Sequence, residues 1–424
     1  MKVLLLNTTD SGGGAAIATR RLHEGLINSG VESKILVQRK LSKDPNVIGP
    51  NSLFSRSYTK IHNIIDNAPL YLYKERESGL FSVSRLSSNT TIKIRKINPD
   101  IIHLHWINNG FLSVKDITSL NQLKKPIVWT LHDMWPFTGG CHYSGNCTKY
   151  KSNCGNCPKL ASNTERDLSF KSFNKKIEGF KDLKIHIVVL SKWMKKCVEE
   201  SYIFRDNNVS LIPNGIDTNI YQPRDKNKAR NNLGLAKNKF VILFGAAKVS
   251  EKRKGFKYLI NALSILKEDK NINDNKISIL IFGNANNIDL NNLPFETILL
   301  GKINDKNKII DAYNAANVFV LPALQDNLPN TLLESFACGT PAVSFSTSGI
   351  KDIIDHKNNG YLAFYKDVHD LTEGIKWIIE NKERNNILGR SARRKSLEVY
   401  KSEIQVEKFK ELYQKVIYEN NKYY

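Results

Sequence analysis

The sequence has no apolar run long enough to cross a lipid bilayer. A membrane-spanning helix needs about 18 or more consecutive apolar residues, and no stretch of this chain approaches that length. The apolar run near the start, within "MKVLLLNTTDSGGG", is much shorter than the core of a secretory signal and leads into polar residues and glycine. We therefore expect a soluble, cytoplasmic protein.

Cysteine is scarce outside one segment. The chain of 424 residues has six cysteines, and four of them, Cys141, Cys147, Cys154 and Cys157, lie within 17 residues. In a chain without a recognisable secretory signal, this distribution favours thiols or metal-bound thiolates over a disulfide framework.

Acidic residues are also in the minority. The chain has 63 Lys and Arg against 41 Asp and Glu, a net charge of +22, of which residues 1–215 carry +14 and the remainder +8. Such an excess is typical of proteins whose partners are polyanions, anionic membrane surfaces or phosphorylated ligands. The other interpretation is that a composition rich in Lys and Asn merely reflects an AT-rich genome.

Short runs rich in Val, Ile and Leu alternate with helical segments in two successive series. The first series contains "KVLLLNT", "ESKILVQR", "PDIIHLHW", "PIVWTLHD" and "IHIVVLSKW", and the second contains "KFVILFGAA", "ISILIFGNA", "ETILLGKI", "VFVLPAL" and "TPAVSFS". Strands that are apolar on both faces indicate parallel sheets covered by helices. We predict an α/β protein with two doubly wound, Rossmann-like domains, a boundary near residues 205–225, and ligands bound at the carboxyl ends of the strands, where the two domains face each other.

The first candidate site is the glycine-rich turn "DSGGG" after the first strand. Gly13 and Gly14 allow a close approach of the backbone, and the helix that follows offers unpaired amides to a phosphate or carboxylate. The spacing is not G-x-G-x-x-G, so a dinucleotide fingerprint is not supported. The alternative is a tight turn with only a packing role.

The second candidate is the basic turn in "KVSEKRKGF", after the first strand of the second series. Arg253 and Lys254 precede a helix, where they would neutralise a diphosphate, and the arginine could bind it in bidentate fashion. A solvated basic loop is the alternative.

The third candidate is "LPALQDNLPNTLLESFACGTPAVSF". Asp326 follows a strand, and Glu334 lies one turn into a helix that we expect to begin near Pro329. The amides of Asn330 and Thr331 would then form an anion site at the helix N-terminus. A carboxylate just inside that helix is well placed to accept hydrogen bonds from a vicinal diol such as ribose.

These motifs together resemble the signature of the retaining family 4 glycosyltransferases of the GT-B fold, which carry an E-x7-E pair. The match runs from Leu-Pro through Glu334 to Gly339 and Pro341, whereas Asp326 replaces the first Glu and Asn327 stands where Gly is usual. "DNLPN" also resembles a bacterial polysaccharide branch of the O-antigen or colanic-acid type. Because "SGGG", "KRKG" and "IPNGID" resemble further family segments in the right order, the resemblance covers essentially the whole chain.

The resemblance implies a reaction and a set of roles. A sugar would pass, with retention, from a nucleotide-diphosphate sugar to a saccharide acceptor (EC 2.4), and no catalytic metal is expected. The diphosphate would be held by Arg253 and Lys254 and by the amides of Gly13, Gly14, Asn330 and Thr331; the ribose by Glu334; and the donor sugar by Asp326, taken as catalytic, with the backbone of Asn327 and Leu328. The domains would be residues 1–205, joined by a C-terminal helix at about 400–424, and residues 206–400.

Histidines follow two neighbouring strands of the first series. His132 ends "PIVWTLH", and the resemblance implies that it contacts the donor sugar near the reacting centre, as a second catalytic residue. A histidine satisfied by the backbone is the alternative. His105 is a further candidate, His103 is expected to pack, and Asp133 would act as a base or cap its loop.

The four clustered cysteines are spaced C-x5-C-x6-C-x2-C. The closing "CGNC" suits a zinc knuckle, so Cys141, Cys147, Cys154 and Cys157 would form a structural zinc site, with His142 as a substitute ligand. Reduced or partly paired cysteines are the alternative.

Two rival functions remain open at this point, a nucleic-acid-binding zinc protein and a GT-B nucleotide-sugar epimerase. The first would need cations interleaved with aromatics on one face, and here the cations are scattered, so we expect no nucleic-acid partner. The basic first domain instead fits an acceptor on a polyprenyl diphosphate at the inner face of the cytoplasmic membrane. Residues 58–86, which look irregular, aromatic and basic, would make that peripheral contact.

Overall fold

The computed structural model describes residues 1–50, 53–88, 90–286 and 293–422. Within these ranges, the side chains of residues 53–56, 58 and 60 are not described. The chain divides into two compact units. Unit 1 comprises Met1–Pro213 and Gln405–Tyr424, and unit 2 comprises Asn214–Ile404. The division therefore lies after residue 213, and the C-terminal segment belongs to unit 1 from Gln405.

Unit 1 contains a parallel sheet of seven strands in the order β3-β2-β1-β4-β5-β6-β7. The strands are β1 (Lys2–Thr9), β2 (Glu32–Arg39), β3 (Val47–Ile48), β4 (Ile101–Leu104), β5 (Ile127–Leu131), β6 (Ile185–Val189) and β7 (Val209–Leu211). The chain runs outward from β1 to β3 and then returns to the other side of β1 with β4. The order therefore reverses between β1 and β4, and ligands bind doubly wound sheets at the carboxyl edge of such a switch point.

Unit 2 repeats this topology in six strands, in the order β10-β9-β8-β11-β12-β13. They are β8 (Phe240–Lys248), β9 (Ile277–Asn284), β10 (Glu296–Gly301), β11 (Val318–Val320), β12 (Ala342–Phe345) and β13 (Gly360–Ala363). The switch point lies between β8 and β11. The prediction of two doubly wound, parallel α/β domains is thus confirmed.

Helices connect the strands of both sheets. In unit 1 they are α1 (Gly14–Asn28), α2 (Leu53–Asn67), α3 (Thr90–Ile97), α4 (Val114–Ser119), α5 (Leu168–Phe180), α6 (Lys192–Glu199) and, from the C-terminus, α14 (Ser402–Asn421). In unit 2 they are α7 (Lys226–Asn232), α8 (Phe256–Glu268), α9 (Lys306–Ala315), α10 (Asn330–Ala337), α11 (Ile350–Ile353), α12 (Val368–Ile379) and α13 (Lys382–Val399).

The central strands have apolar side chains on both faces because helices cover both sides of each sheet. In β1, Leu4 and Leu6 belong to one buried cluster, whereas Val3 and Leu5 belong to another that includes Phe409 of α14. Alternation along a strand sends successive side chains to opposite faces. The C-terminal helix therefore completes the core on one face of the first sheet.

Some elements differ from the sequence-based expectation. The edge strands β3, β7 and β13 were not predicted, because they are short and their sequences are partly polar. The segment 58–86 was expected to be irregular, but residues 58–67 belong to helix α2. That part of the prediction is wrong, because the Gly- and Pro-free run of α2 carries apolar residues at helical spacing. The side chains of Tyr58 and Lys60 lie outside the described residues.

No helix in the described part of the chain is both long enough and apolar enough to span a membrane.

Candidate functional site

The basic turn of unit 2 lies at the switch point of its sheet. Residues Lys252–Lys254 form a short 3-10 turn between β8 and α8, and Gly255 ends that turn in the left-handed conformation. A Cβ at Gly255 would lie 1.8 Å from the carbonyl oxygen of Pro322, which follows the neighbouring strand β11. Glycine therefore brings the turn against the segment that carries Asp326.

Two cations of this turn converge on one carboxylate. Arg253 Nη1 and Lys254 Nζ donate to the same oxygen of Asp326, Oδ2, at 2.9 and 2.6 Å. Arg253 also donates from Nε to Glu251 Oε1 at 2.9 Å and from Nη1 to the carbonyl of Gln325 at 2.8 Å. The Arg253 guanidinium is thus largely occupied by Glu251 and Asp326. The ammonium of Lys254 uses one N–H for Asp326 and has two more to donate to a ligand.

The carboxylate of Asp326 is ionised. Burial alone would raise its pKa, but the adjacent Lys254 and Arg253 outweigh burial and lower the pKa to about 2. The side chain is only 9% exposed. Sequence reasoning assigned the cations to a diphosphate and the acid to a sugar, and the structure adds that they form one ion-paired cluster.

Helix α10 begins beside Asp326, one residue later than expected. Pro329 is its N-cap and supplies no side-chain hydrogen bond, so Asn330 is the first helical residue. The first amides of a helix have no intrahelical partner and attract anions. The next two residues after Asp326, Asn327 and Leu328, are buried.

Glu334 lies one turn into α10, and its orientation is set by a residue that the sequence did not reveal. Tyr313 of α9, which is fully buried, donates from its hydroxyl to Glu334 Oε2 at 2.8 Å. Burial raises the pKa of Tyr313 well above its usual value, with a further contribution from Glu334, so the phenol keeps its proton and remains a donor. In "IIDAYNAAN" this tyrosine occupies an apolar helical position, so the local sequence does not distinguish it from a core residue.

The glycine turn lies at the switch point of unit 1. Gly13 has a φ of +138°, which side-chain-bearing residues rarely adopt, and it is the N-cap of α1. No acidic residue lies in the first turn of that helix. The preceding Asp10 is buried and accepts from the amides of Leu41 and Ser42 at 2.7 and 2.8 Å, so it fastens the turn to the end of β2.

Three histidines meet at the carboxyl ends of β4 and β5. His105 Nδ1 lies 3.0 Å from His132 Nε2, and the His103 and His105 rings lie 4.2 Å apart. Burial lowers the pKa of His132 to about 4 and brings the pKa of the other two well below the usual value. All three imidazoles are therefore neutral at physiological pH.

The side chain of Asp133 stabilises its own loop through hydrogen bonds. It is buried and not exposed to an acceptor as a general base would be. Its Oδ2 accepts from Trp106 Nε1 at 2.8 Å and contacts His142 Nδ1 at 2.6 Å, while Oδ1 accepts from the amide of Trp135 at 2.9 Å. His142 Nε2 in turn lies 2.8 Å from Ser82 Oγ. Of the two alternatives for Asp133, the structure supports the loop cap. Both nitrogens of His142 are engaged, so its suggested role as a substitute zinc ligand is not supported.

The four clustered cysteines line one small pocket in unit 1. All four are free thiols, and within the described residues no group of three or more His, Cys, Asp or Glu side chains has an arrangement that would hold a metal ion. Close by, the fully buried Lys176 donates to the carbonyls of Trp135 and Thr138. The structural zinc stays a prediction based on cysteine spacing, which metal analysis of the purified protein would decide.

Comparison with protein families accounts for both units. The family profile described as "Glycosyltransferase Family 4" matches residues 12–220, and the one described as "Glycosyl transferases group 1" matches residues 225–395. The two matches are consecutive and place the glycine turn in the first and the cluster around Asp326 in the second. The chain belongs to the family 4 glycosyltransferases of the GT-B fold. The family and the enzyme class predicted from the sequence are thereby confirmed.

Individual relatives and solved structures agree with this assignment. A putative colanic acid biosynthesis glycosyl transferase of Escherichia coli K12 is 23% identical over 88% of this glycosyltransferase and 90% of its own length. An Escherichia coli galactosyltransferase, whose name specifies UDP-Gal and a diphosphoundecaprenol acceptor, is 27% identical over 51% of this chain and 56% of its own. Among solved structures, Anabaena HepE in complex with UDP and glucose is 14% identical, with a TM-score of 0.66 over 97% of this chain and 99% of its own.

Proposed function

We propose that this glycosyltransferase transfers a sugar, with retention of configuration, from a nucleoside-diphosphate sugar to a saccharide acceptor in the biosynthesis of a surface polysaccharide. The observation that carries the proposal is the cluster of Arg253, Lys254 and Asp326 beside the N-terminus of α10, with Glu334 one turn further on. Cations, helix amides and a carboxylate in that order match the diphosphate and ribose of such a donor.

The donor site works by stabilising the departing diphosphate. In this proposal Lys254 and Arg253 neutralise the diphosphate, with help from the amides of Asn330 and Thr331. Fixed cations and helix dipoles need no reorganisation as negative charge develops, so they lower the barrier directly. Asp326 and the backbone of Asn327 and Leu328 would hold the hydroxyls of the donor sugar.

Retention would follow from attack on the same face as the departing group. The bond between the anomeric carbon and the diphosphate oxygen breaks, and the diphosphate leaves with the electron pair. The acceptor hydroxyl forms the new bond on that face and gives its proton to the departing phosphate. His132 would contact the donor sugar. A covalent glycosyl-enzyme on Asp326 would contradict this route, and the anomeric configuration of the product, read by proton NMR, tests retention.

The donor can be identified by thermal denaturation. Because a ligand that binds only the folded state raises stability by mass action, the correct donor should raise the Tm by several degrees at 100 times its Kd. We expect a uridine diphosphate sugar to do so, since the galactosyltransferase relative uses UDP-Gal and HepE binds UDP. GDP-, ADP- and dTDP-sugars complete the panel.

The matched controls for this screen are two neighbouring lysines. Lys254→Ala should abolish the shift, whereas Lys252→Ala should keep it, because Lys252 is exposed and its side chain makes no ion pair within the described residues. No shift with any of the four donors at millimolar concentration would overturn the proposed function. Consumption of a donor without an acceptor, giving an epimerised sugar nucleotide, would favour the epimerase alternative.

We further propose a lipid-linked acceptor and peripheral binding at the inner face of the cytoplasmic membrane. Unit 1 exposes large apolar side chains along α2 and the segment after it, namely Ile61, Ile64, Ile65, Tyr71 and Leu72, of which Leu72 is 83% exposed. Arg85 donates from Nη2 to the carbonyl of Ile65, so a cation lies beside this apolar face. An apolar face next to cations, in a half of the chain with net charge +14, suits an anionic bilayer surface.

Vesicle binding tests this surface. The protein should co-sediment with vesicles that contain 30% phosphatidylglycerol, at a level about tenfold above that with neutral vesicles. The double variant Ile64→Asp, Leu72→Asp should lose most of this binding, because each aspartate adds a like charge and removes apolar area. Ile387→Asp, at an exposed position of α13, is the control and should bind as wild type does. Equal partition of all three proteins would contradict the proposal.

A further inference from the structure

The least explained feature of unit 1 is the pair of adjacent histidines, His105, which is buried, and His132, which is half-buried. His105 directly follows β4 and His132 directly follows β5, and these strands are parallel neighbours. The backbone of His105 is held on both sides, because its amide donates to the carbonyl of Leu6 at 2.9 Å and its carbonyl accepts from Trp129 Nε1 at 3.1 Å. The imidazole of His105 therefore has a fixed origin next to the proposed sugar-contacting residue.

The two rings share one hydrogen bond. His105 Nδ1 and His132 Nε2 lie 3.0 Å apart, and the ring centroids lie 5.3 Å apart with an angle of 28° between the ring planes. Since both imidazoles are neutral, one of these nitrogens carries a proton and the other offers a lone pair. Which nitrogen carries the proton determines the tautomer of His132.

The second nitrogen of His105 decides between the two arrangements. His105 Nε2 is buried and has no hydrogen-bond partner within the described residues. If His132 donated to His105, this orphaned Nε2 would carry a proton, which is a buried N–H with nothing to accept it. If His105 donates from Nδ1, only a lone pair is left unsatisfied. Buried N–H groups without an acceptor are rarer in proteins than under-used acceptors, so the second arrangement is favoured.

The His103 ring packs against the His105 ring and prevents it from rotating to bring Nε2 to a hydrogen-bond partner. His103 Nδ1 lies 2.6 Å from the hydroxyl of Tyr413 in α14, and His103 Nε2 lies 2.7 Å from Thr130 Oγ1. With both nitrogens bound, the His103 ring is locked, and it lies 4.2 Å from the His105 ring. The C-terminal helix thus supports the ring that supports His132.

We propose that His105 is a positioning residue that holds His132 in the tautomer protonated on Nδ1, which makes His132 a neutral hydrogen-bond donor in the transfer reaction. His132 Nε2 is then occupied as an acceptor and cannot remove a proton from the acceptor hydroxyl. The catalytic part of this inference rests on the proposed function, whereas the tautomer does not.

The tautomer can be measured directly. Long-range proton–nitrogen correlation spectra of protein labelled with 15N-histidine distinguish the two tautomers, and the signals of His132 are assigned by their absence from His132→Gln. We expect the Nδ1-protonated form in the wild type. In His105→Asn, whose amide N–H can take the place of Nδ1–H, the same form should persist. In His105→Leu, which removes the donor, the Nε2-protonated form should become the major one.

Kinetics add a readout that a merely structural role would not move. His105→Leu should lower kcat by about 10- to 100-fold while the KM for the donor changes less than threefold. His105→Asn should recover kcat to within about fivefold of wild type. Equal Tm values confirm that both variants fold. An Nε2-protonated His132 in the wild type, or an unchanged tautomer in His105→Leu, overturns the proposal even if no glycosyl transfer is found.

Discussion

Replacing Lys254 with alanine is expected to lower kcat/KM for the nucleotide sugar by about 100- to 1000-fold, equivalent to about 2.7–4 kcal/mol of transition-state stabilisation. Of the two cations that bind Asp326, Lys254 has donors to spare, whereas Arg253 is held by Glu251, Gln325 and Asp326. Its charge is worth most when the diphosphate leaves, so kcat should fall more than KM rises. Steady-state kinetics with the donor found by the thermal screen measure both quantities.

The same experiment separates the two cations. Arg253→Lys should also lower kcat/KM, because lysine cannot reproduce the fork that binds Glu251 and Asp326 together, and here the Tm should fall as well. Lys252→Ala, in the same turn, should leave kcat/KM within twofold of wild type. If Lys254→Ala loses less than threefold with Tm unchanged, the diphosphate does not lie against this turn.

The second large effect is expected at Glu334. Glu334→Gln should lower kcat/KM by about 10- to 100-fold, because a hydrogen bond to a charged acceptor contributes about 1.5–3 kcal/mol. The amide oxygen can still accept from Tyr313, so the fold should be retained and the loss should appear mainly in the KM for the donor. Tyr313→Phe, which removes this one hydrogen bond to the carboxylate, should lower kcat/KM by a smaller factor of about 3–10.

A modified donor shows whether the ribose is the partner. With a 2′,3′-dideoxyribose donor, the wild type should already have lost the contact, so Glu334→Gln should cause less than a twofold further decrease. The coupling between the two changes then measures the carboxylate–diol interaction. If the variant weakens the natural and the dideoxy donor equally, Glu334 acts on the fold of α10 and not on the ribose.

The donor motif was predictable because its parts are close in sequence. Asp326, Pro329 and Glu334 span one strand end and one helical turn, so local rules for strand ends, helix starts and helical spacing place them correctly to within one residue. Helix α10 begins at Asn330 instead of Pro329, because local sequence rules do not fix the end of a helix to the exact residue. The order of the two series of strands likewise predicted both doubly wound sheets.

The supporting residues were not predictable, because each comes from a distant part of the chain. Tyr313 lies 21 positions before Glu334, His105 lies 27 before His132, and Tyr413 lies 310 after His103. Tyr313 and Tyr413 occupy positions where an apolar or packing residue is expected, whereas His105 was a candidate at a strand end and only its pairing with His132 was not predicted. The edge strands β3 and β7, which are short or partly exposed, were not predicted for a related reason. Their pairing is decided by the neighbouring strand and not by their own residues.

The sequence by itself determined the class of the chain, the alternation of strands and helices, and the order of the phosphate-binding, cation and acid motifs along the chain. The tertiary structure decided which charged side chains form ion pairs and which titratable side chains are protonated. Asp326 is ionised because two cations of a separate turn contact it, and His132 is neutral because desolvation of its ring lowers its pKa. The physical reason is that solvation and pairing depend on distances between elements, and packing sets these distances after the chain has folded.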